Sequence, residues 1–236
     1  MKSKACRLAK TAFKTSGALR RGCRGEKRPM PDCPNKNIST LSGKCDRTDR
    51  KALRKRFYAM RSELSAGSRV CAALRGELSA WLVQRSFHLI GLYMPFRAEP
   101  DVTDAVLDAA RQMHARVALP VIDDLRGALM HYALWSGVAS ELVPGAYGIL
   151  EPVPDREIVP DLILSPCVAV SPSGVRLGNG GGFYDRYLAS LRAKGVFPVT
   201  VAVAYEALVS HDVAARKHDA LFDWIATERG VVKAVR

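Results

Sequence analysis

Short apolar runs that match buried strands alternate with segments of helical periodicity along residues 49–236. Helical patterns cover 49–65, 68–85, 101–115 and 183–194, and strand patterns cover 88–94, 117–122, 128–135, 161–165, 167–170, 198–205 and 223–227. This alternation is typical of parallel strands whose connecting helices cover both faces of a sheet. The sequence therefore predicts a single three-layer α/β domain with a central, mostly parallel sheet. Residues 136–160, rich in glycine and proline, are predicted to form a loop.

The positive charge of the chain is concentrated at its N-terminus. The formal net charge is +13, and the first 48 residues hold 13 Lys and Arg against three acids, which leaves about +3 for residues 49–236. A folded domain that coats phosphates would hold its cations on the core elements. Nucleic acid is therefore not an expected partner. A membrane-embedded protein is not expected either, because no stretch has the roughly 18 uninterrupted apolar residues of a spanning helix.

Residues 1–48 contain repeated glycines and prolines and no sustained apolar periodicity, which predicts a disordered basic extension. They have no apolar core segment of a secretory signal. Three interpretations stay open: a mitochondrial targeting segment if the source is eukaryotic, a start codon placed too early, or a solvated tail. The four cysteines of this segment form no C-x2-C pair, so that neither zinc nor a disulfide framework is favoured. We expect a reducing compartment, the cytoplasm, with the mitochondrion as the alternative.

A glycine-dense segment, residues 174–182, precedes the predicted helix 183–194. Glycines at the junction between a strand and a helix let backbone amides approach an anion closely, and the N-terminus of the helix adds partial positive charge. Arg176 and Arg186 flank the loop with guanidinium groups suited to phosphate, and Asp185 supplies a carboxylate for Mg²⁺. The alternative is an ordinary turn. Neither G-x-x-x-x-G-K-[ST] nor the G-x-G-x-x-G dinucleotide motif is present.

Three further features are candidates for the same site. Several basic residues lie at the start of the first helix, and Arg50 and Arg54 share one face of it. They could form a clamp for a triphosphate, or they could simply form a solvated surface. Glu99 follows the strand 88–94, at the edge where α/β sheets bind ligands, and could accept hydrogen bonds from ring N–H groups. Otherwise it is an ordinary loop acid. Asp219 is a second metal carboxylate or a helix cap.

Taken in order, these segments resemble the 5-formyltetrahydrofolate cyclo-ligase family over about residues 49–230. The most specific stretch, residues 174–188, is similar to the family signature G-x-R-L-G-x-G-x-G-[YF]-Y-D-x-x-L. Supporting matches lie at 50–54, 93–99, 148–152, 218–219, 223 and 227–228. Asn179 stands where the family usually has Tyr or Arg.

The resemblance implies an enzyme that closes 5-formyltetrahydrofolate to 5,10-methenyltetrahydrofolate with ATP as co-substrate and Mg²⁺ as cofactor. We expect the protein to be a monomer. The resemblance assigns ATP binding to Arg50, Lys51, Arg54, Arg176, Leu177, Gly178, Asn179, Gly180, Gly181, Gly182, Phe183 and Tyr184. It assigns folate binding to Met94, Glu99, Asn179, Gly180, Gly181, Gly182 and Phe183. It gives catalytic roles to Arg176 and Asp185, and the metal to Asp185 and Asp219.

Two other functions remain open from the residues alone. The same domain could be a catalytically silent protein that binds folate, nucleotide or nucleic acid. It could also be a different small-molecule enzyme on a related α/β fold, such as a sugar-phosphate isomerase, that uses the anion site without ATP. Dependence on a nucleotide separates the isomerase from the cyclo-ligase, and salt-steep nucleic-acid binding by residues 49–236 alone would favour the binding protein.

Overall fold

The computed structural model describes residues 49–65, 68–153 and 156–236. The predicted disordered extension, residues 1–48, lies outside the described residues, and so do Cys6, Cys23, Cys33 and Cys45. Within the described ranges, no helix combines the length and apolar character needed to cross a bilayer.

The four helices agree with the predicted ones to within two residues at each end. They are α1 (Arg50–Ser65), α2 (Ser68–Val83), α3 (Thr103–Met113) and α4 (Phe183–Ala193). The strands are β1 (Leu89–Gly91), β2 (Arg116–Asp124), β3 (Leu129–Trp135), β4 (Leu142–Pro144), β5 (Leu150–Pro152), β6 (Leu162–Pro166), β7 (Ala169–Val170), β8 (Arg176–Leu177), β9 (Val199–Val203), β10 (Trp224–Thr227) and β11 (Gly230–Lys233).

A seven-stranded sheet with the order β11-β10-β9-β6-β1-β2-β3 forms the centre of residues 49–236. The chain enters at β1, moves outward to β2 and β3, and then crosses back to place β6 on the other side of β1. The four pairings β2–β1, β1–β6, β6–β9 and β9–β10 are parallel. The order therefore reverses between β1 and β6, and the carboxyl ends of these two strands border the crevice where α/β sheets hold ligands.

Both outer strands of the sheet are antiparallel to their neighbours. β3 pairs with β2, and β11, which the sequence pattern missed, pairs with β10. Both pairs are joined by short turns, and a short turn can only reverse the chain, whereas a parallel neighbour needs a crossover of a dozen or more residues. The prediction of a mostly parallel sheet is confirmed for the five inner strands.

The loop predicted at 136–160 contains a small antiparallel hairpin, β4–β5. A second two-stranded ribbon, β7–β8, lies immediately before the glycine-dense segment. β7 lies within the strand predicted at 167–170, whereas β4, β5 and β8 were not predicted, because they are only two or three residues long. The ribbon β7–β8 is followed by the glycine loop, residues 178–182, which leads to the start of α4.

Helices cover both faces of the sheet, as the three-layer prediction requires. The strand register places Tyr132 and Ile225 on one face and Trp224 on the other. Tyr187 of α4 packs on Tyr132 at a ring distance of 5.4 Å, and Trp81 of α2 packs on Trp224 at 5.3 Å. α2 and α4 therefore lie on opposite faces.

The first helix is anchored at its start and along one side. The Asp49 carboxylate accepts hydrogen bonds from the amides of Lys51 (2.9 Å) and Ala52 (3.3 Å), which caps α1. Leu53 and Phe57 are buried on its inner face. Arg61, one turn further on the same face, is also fully buried, at 0 % exposure.

Candidate active site

The first helix carries Arg54 onto the glycine-dense segment and Arg50 onto the segment that contains Asp219. Arg54 donates from Nε to the Gly178 carbonyl at 2.8 Å. Its guanidinium carbon lies 3.6 Å from where a Cβ on Gly180 would sit. Arg50 forms a two-pronged ion pair with Asp219 and donates to the Ala214 carbonyl at 3.0 Å. One of the two arginines of the predicted clamp, Arg54, therefore contacts the glycine-dense segment.

Several guanidinium groups share this region. Burial, followed by the charges of Arg50, Arg216 and Arg176, lowers the pKa of Arg54. Cations this close repel one another, and a bound polyanion would relieve that repulsion. Sequence reasoning had not included Arg216. Lys51, which was included, is an exposed side chain of α1.

The glycine loop has a backbone that only glycine adopts without strain at two of its positions. Gly180 has φ +111° and Gly182 has φ +76°. Gly182 is the N-cap of α4, and among the described residues this helix has no side-chain cap hydrogen bond. The Arg186 guanidinium donates to the Gly181 carbonyl at 3.0 Å, which fixes the loop from outside. Free amides at a helix N-terminus provide donors for an anion.

Arg176 and Asp185 lie on either side of this loop. Arg176 is largely buried, donates to the Pro166 carbonyl at 3.3 Å, and lies 3.7 Å from the Asp185 carboxylate. The second Asp185 oxygen accepts a hydrogen bond from the Ala220 amide at 3.0 Å. Asp185 is thus held beside the residue that follows Asp219.

The two predicted metal ligands, Asp185 and Asp219, come from adjoining segments. Both Asp219 oxygens are engaged by Arg50, and one also accepts the Arg216 amide at 2.7 Å. Within the described part of the chain, no group of three or more His, Cys, Asp or Glu side chains could hold a metal ion. Two carboxylates suit Mg²⁺ when substrate phosphates supply further ligands. Asp219 also lines a cleft of about 620 Å³ beside α4.

Glu99 lies at the carboxyl end of β1, buried to 6 % exposure. One carboxylate oxygen accepts the Phe96 amide at 3.1 Å. The other accepts the Asn179 side-chain amide at 3.2 Å and lies 3.5 Å from the Arg61 guanidinium. Burial raises the pKa of Glu99, and Arg61 and the Asn179 hydrogen bond oppose that rise.

Asn179 connects the glycine loop to this carboxylate. Its side-chain oxygen accepts a hydrogen bond from Tyr58 at 2.6 Å, while its nitrogen donates to Glu99. Of the other predicted folate residues, Phe183 contacts Tyr147 edge-on at 6.5 Å, and Met94 is half-buried against the core. The loop that contacts Arg54 therefore also contacts Glu99.

Two residues of this network, Arg61 and Tyr58, were absent from the sequence-based set. Arg61 had a readable signal, because it lies four residues after Phe57 and eight after Leu53 on the apolar face of α1. A charge at such a position demands a buried partner. Tyr58 had no signal, since its role depends on where Asn179 lies in space.

A sequence model of the 5-formyltetrahydrofolate cyclo-ligase family matches residues 46–228 of this chain. The chain belongs to that family. The resemblance predicted from the glycine-rich signature is thereby confirmed, and the match includes the site elements described above, from α1 to the segment that contains Asp219.

Two relatives with curated names support the membership. The 5-formyltetrahydrofolate cyclo-ligase of Mycolicibacterium smegmatis is 34 % identical over 167 residues, which cover 68 % of this chain and 83 % of the relative. The protein of the same name from Haemophilus influenzae is 33 % identical over 128 residues, which cover 50 % of this chain and 65 % of the relative.

Solved structures agree with the fold. The NMR structure of the Aquifex aeolicus 5,10-methenyltetrahydrofolate synthetase has a TM-score of 0.65 and 26 % identity, over 79 % of this chain and 93 % of that one. The synthetase from Mycoplasma pneumoniae has a TM-score of 0.59 and 23 % identity, over 76 % of this chain and 99 % of that one, and supports the fold alone. The predicted α/β domain is confirmed.

Proposed function

We propose that this protein converts 5-formyltetrahydrofolate to 5,10-methenyltetrahydrofolate at the expense of ATP, which becomes ADP and phosphate, with Mg²⁺ as cofactor. The family membership and the names of the relatives support the reaction. ATP dependence, the metal and the residue roles are inferred from the chemistry of the site.

The observation that carries the proposal is the double contact of one loop. Gly178 accepts a hydrogen bond from Arg54, and the next residue, Asn179, donates one to Glu99. Arg54 belongs to the cationic cluster suited to a triphosphate, and Glu99 is the carboxylate suited to the N–H groups of a pterin ring. A reaction between a nucleotide and a folate requires such neighbouring sites, because the terminal phosphorus must reach the formyl oxygen.

The chemistry explains why no nucleophilic serine or cysteine is needed. A formamide is a poor electrophile, because its nitrogen donates into the carbonyl group. Transfer of the γ-phosphoryl group breaks the bond to ADP and forms a bond to the formyl oxygen. N10 then attacks the formyl carbon and loses its proton, and phosphate departs with the former formyl oxygen. Such a transfer depends on positioning and on neutralising spread negative charge.

We assign these tasks to residues of the chain. Arg50, Arg54 and Lys51 bind the triphosphate from one side, and the loop from Arg176 to Tyr184 binds it from the other. Arg176, beside Asp185, stabilises the charge that develops on the transferred group. Met94, Glu99 and residues 179–183 hold the folate.

We assign Mg²⁺ to Asp185 and Asp219, whose carboxylate oxygens are the donors that this ion prefers. When bound, the metal supplies neutralisation of phosphate charge. Since Arg50 occupies Asp219 in the structure, nucleotide phosphates would have to draw Arg50 away before both carboxylates became available.

The test is a coupled assay on the purified protein. We expect the absorbance of the methenyl product to rise when 5-formyltetrahydrofolate, Mg²⁺ and ATP are all present, with one phosphate released for each product formed. Omission of ATP, or its replacement by a non-hydrolysable analogue, should stop the reaction. Folded protein that forms no product with ATP would refute the proposal, and product formed equally well without nucleotide would indicate a different enzyme on this fold.

We also propose that the protein works in the cytoplasm as a monomer. Direct tests are fractionation of native cells, with a mass spectrum of the mature N-terminus, and the mass of the particle in solution. Recovery in mitochondria with residues removed from the N-terminus would instead assign the basic extension to targeting. A relative from Arabidopsis thaliana, 36 % identical over 111 residues, is named mitochondrial.

A further inference from the structure

The most unusual side chain near the proposed folate pocket is Arg61. It is fully buried on α1, and an ionised guanidinium without partners at such a position would cost several kcal/mol. Its terminal nitrogens donate to the carbonyls of Cys167 (3.2 Å) and Arg97 (2.7 Å), and one of them lies 3.5 Å from Glu99. Arg61 therefore joins α1 to the segments that follow β6 and β1, on both sides of the point where the strand order reverses.

The segment that Arg61 holds after β1 is a strained turn. Arg97 (φ 49°) and Ala98 (φ 63°) both lie in the left-handed region, which costs a residue with a Cβ roughly 1–2 kcal/mol. Two contacts within the turn offset this cost, because the Phe96 amide donates to the Glu99 carboxylate and the Glu99 amide donates to the Phe96 carbonyl at 3.2 Å. Arg61 adds the bond to the Arg97 carbonyl. Strain that neighbouring structure maintains in this way is typical of functional sites.

We propose that Arg61 is a positioning residue of the folate pocket, which holds the 96–99 turn and keeps the Glu99 carboxylate aimed at the N–H groups of the pterin. This inference rests on the proposed function, and it assigns a task to a residue outside the nucleotide clamp and the metal carboxylates.

The surroundings of Glu99 make its charge depend on Arg61. The groups around this carboxylate come from five segments: Arg61 on α1, Tyr93 after β1, Cys167 after β6, Arg176 on β8 and Tyr184 on α4. Burial raises the pKa of Cys167 and of Tyr184 to about 12 and that of Tyr93 well above its usual value, so these three are neutral near pH 7. Arg61 is the largest charged influence that lowers the pKa of Glu99, ahead of Arg176.

The test uses the full chain with Arg61→Met and Arg61→Lys. In Arg61→Met the pKa of Glu99 rises further, because burial then acts with less opposition. The acid limb of the pH profile of kcat/KM for folate should therefore move to higher pH, and KM for folate should rise about tenfold or more, the loss expected for a charge-assisted contact. KM for ATP should stay within about twofold. Arg61→Lys should restore part of the folate affinity, because it keeps the charge but cannot reach all three acceptors.

The matched control is Arg56→Met on the same helix. Arg56 is exposed and pairs with Asp212, so this variant should leave both KM values and the pH profile unchanged. Thermal melting of every variant separates loss of folding from loss of positioning. A folded Arg61→Met protein that loses kcat alone, with KM for folate and the acid limb unmoved, would overturn the proposal.

Glu99→Gln keeps the test decisive if the Arg61 variants do not fold. This neutral, nearly isosteric change leaves Arg61 in place, and it should abolish the acid limb of the pH profile of kcat/KM for folate. Persistence of that limb in folded Glu99→Gln protein would equally overturn the proposal. Wild-type protein without any ATP-dependent turnover would instead refute the proposed function, so the two failures are distinguishable.

Discussion

At the scale of single residues, Asn179 is the point where the two halves of the proposed site meet. It is exposed, yet its two side-chain atoms are committed to Tyr58 on one side and to the buried Glu99 on the other. A pterin that donates to Glu99 has to share or displace this bond. Since Asn179 belongs to the loop that contacts Arg54, a nucleotide bound at the proposed site should affect the proposed folate carboxylate, Glu99.

Asn179→Ala should weaken the coupling between the two ligands. We expect a non-hydrolysable ATP analogue to tighten folate binding to the wild-type protein about fivefold or more, the lower range of allosteric coupling, and to have little effect on Asn179→Ala. Calorimetric titration of folate with and without the analogue measures this. Tyr58→Phe is the matched control, because it removes only one of the two bonds. Equal tightening in wild type and Asn179→Ala would show that the loop does not connect the sites.

Asp185→Asn should reduce turnover strongly while the protein stays folded. The amide keeps an oxygen for the Ala220 amide but loses the charge that faces Arg176 and the proposed metal. We expect kcat to fall about a hundredfold or more, as for loss of one electrostatic contact to a transition state. Steady-state kinetics and a thermal melt together check this. Asp108→Asn, at an exposed pair with Arg111, should change neither, and unchanged turnover in Asp185→Asn would remove Asp185 from the machinery.

Residue types and spacing were enough to predict Arg54, Glu99 and the glycine loop as candidates for one site. They marked Arg61 as a charge on the apolar face of α1, but they could not identify its partner, the Cys167 carbonyl, more than 100 positions later in the chain. They also could not show that Asp219 is paired with Arg50, because ion pairs between distant segments leave no periodic trace.

At the scale of elements, the glycine within the ribbon β7–β8 and the glycines of the loop after it have different roles. The first is required by packing, and the others belong to the proposed site. Gly174 has φ +80°, and a Cβ there would lie 2.2 Å from the Phe222 carbonyl oxygen, a clash with backbone. Gly180 has φ +111°, and a Cβ there would meet the Arg54 guanidinium only at 3.6 Å. The first glycine is needed for packing, and the second for the shape of the loop.

Alanine at each position should separate these roles. Gly180→Ala should lower the free energy of unfolding by about 1–2 kcal/mol, the cost of the left-handed backbone, and should raise KM for ATP. Gly174→Ala should cost more, about 3 kcal/mol, because steric overlap adds to the strain. Denaturant titration and initial rates give both quantities. If Gly180→Ala and Gly174→Ala destabilise the protein equally, and Gly180→Ala leaves KM for ATP unchanged, the result would indicate that this loop does not contact the nucleotide.

The elements themselves differed in how far sequence predicted them. Long helices with a clear apolar stripe, such as α1 and α2, were predicted almost to the residue. β11 and the hairpin β4–β5 were missed because most of their side chains are not buried, so that these short strands show no apolar run. The antiparallel direction of β3 depends on the tight turn after β2, which hydrophobic patterns do not report.

At the scale of the whole chain, the charge distribution predicts which part of the protein could bind nucleic acid. A variant that begins at residue 46 has a net charge of about +3 instead of +13. We expect it to keep the full ATP-dependent activity, because the family match starts at residue 46, and to lose any salt-sensitive affinity of the full chain for RNA. Parallel kinetics and binding assays across salt concentrations check this. Tight, salt-steep RNA binding by the shortened protein would contradict it.

The pairing of β1 with β6 also has a consequence for how the molecule forms. During synthesis Arg61 and Glu99 emerge long before Cys167, and the pairing of β6 with β1 brings the Cys167 carbonyl to Arg61. A compact intermediate that lacks β6 would bury a cation with part of its acceptors missing, at a cost of several kcal/mol. The arginine that we propose as a positioning residue should thus also disfavour a compact intermediate in which α1 docks before β6 has paired with β1.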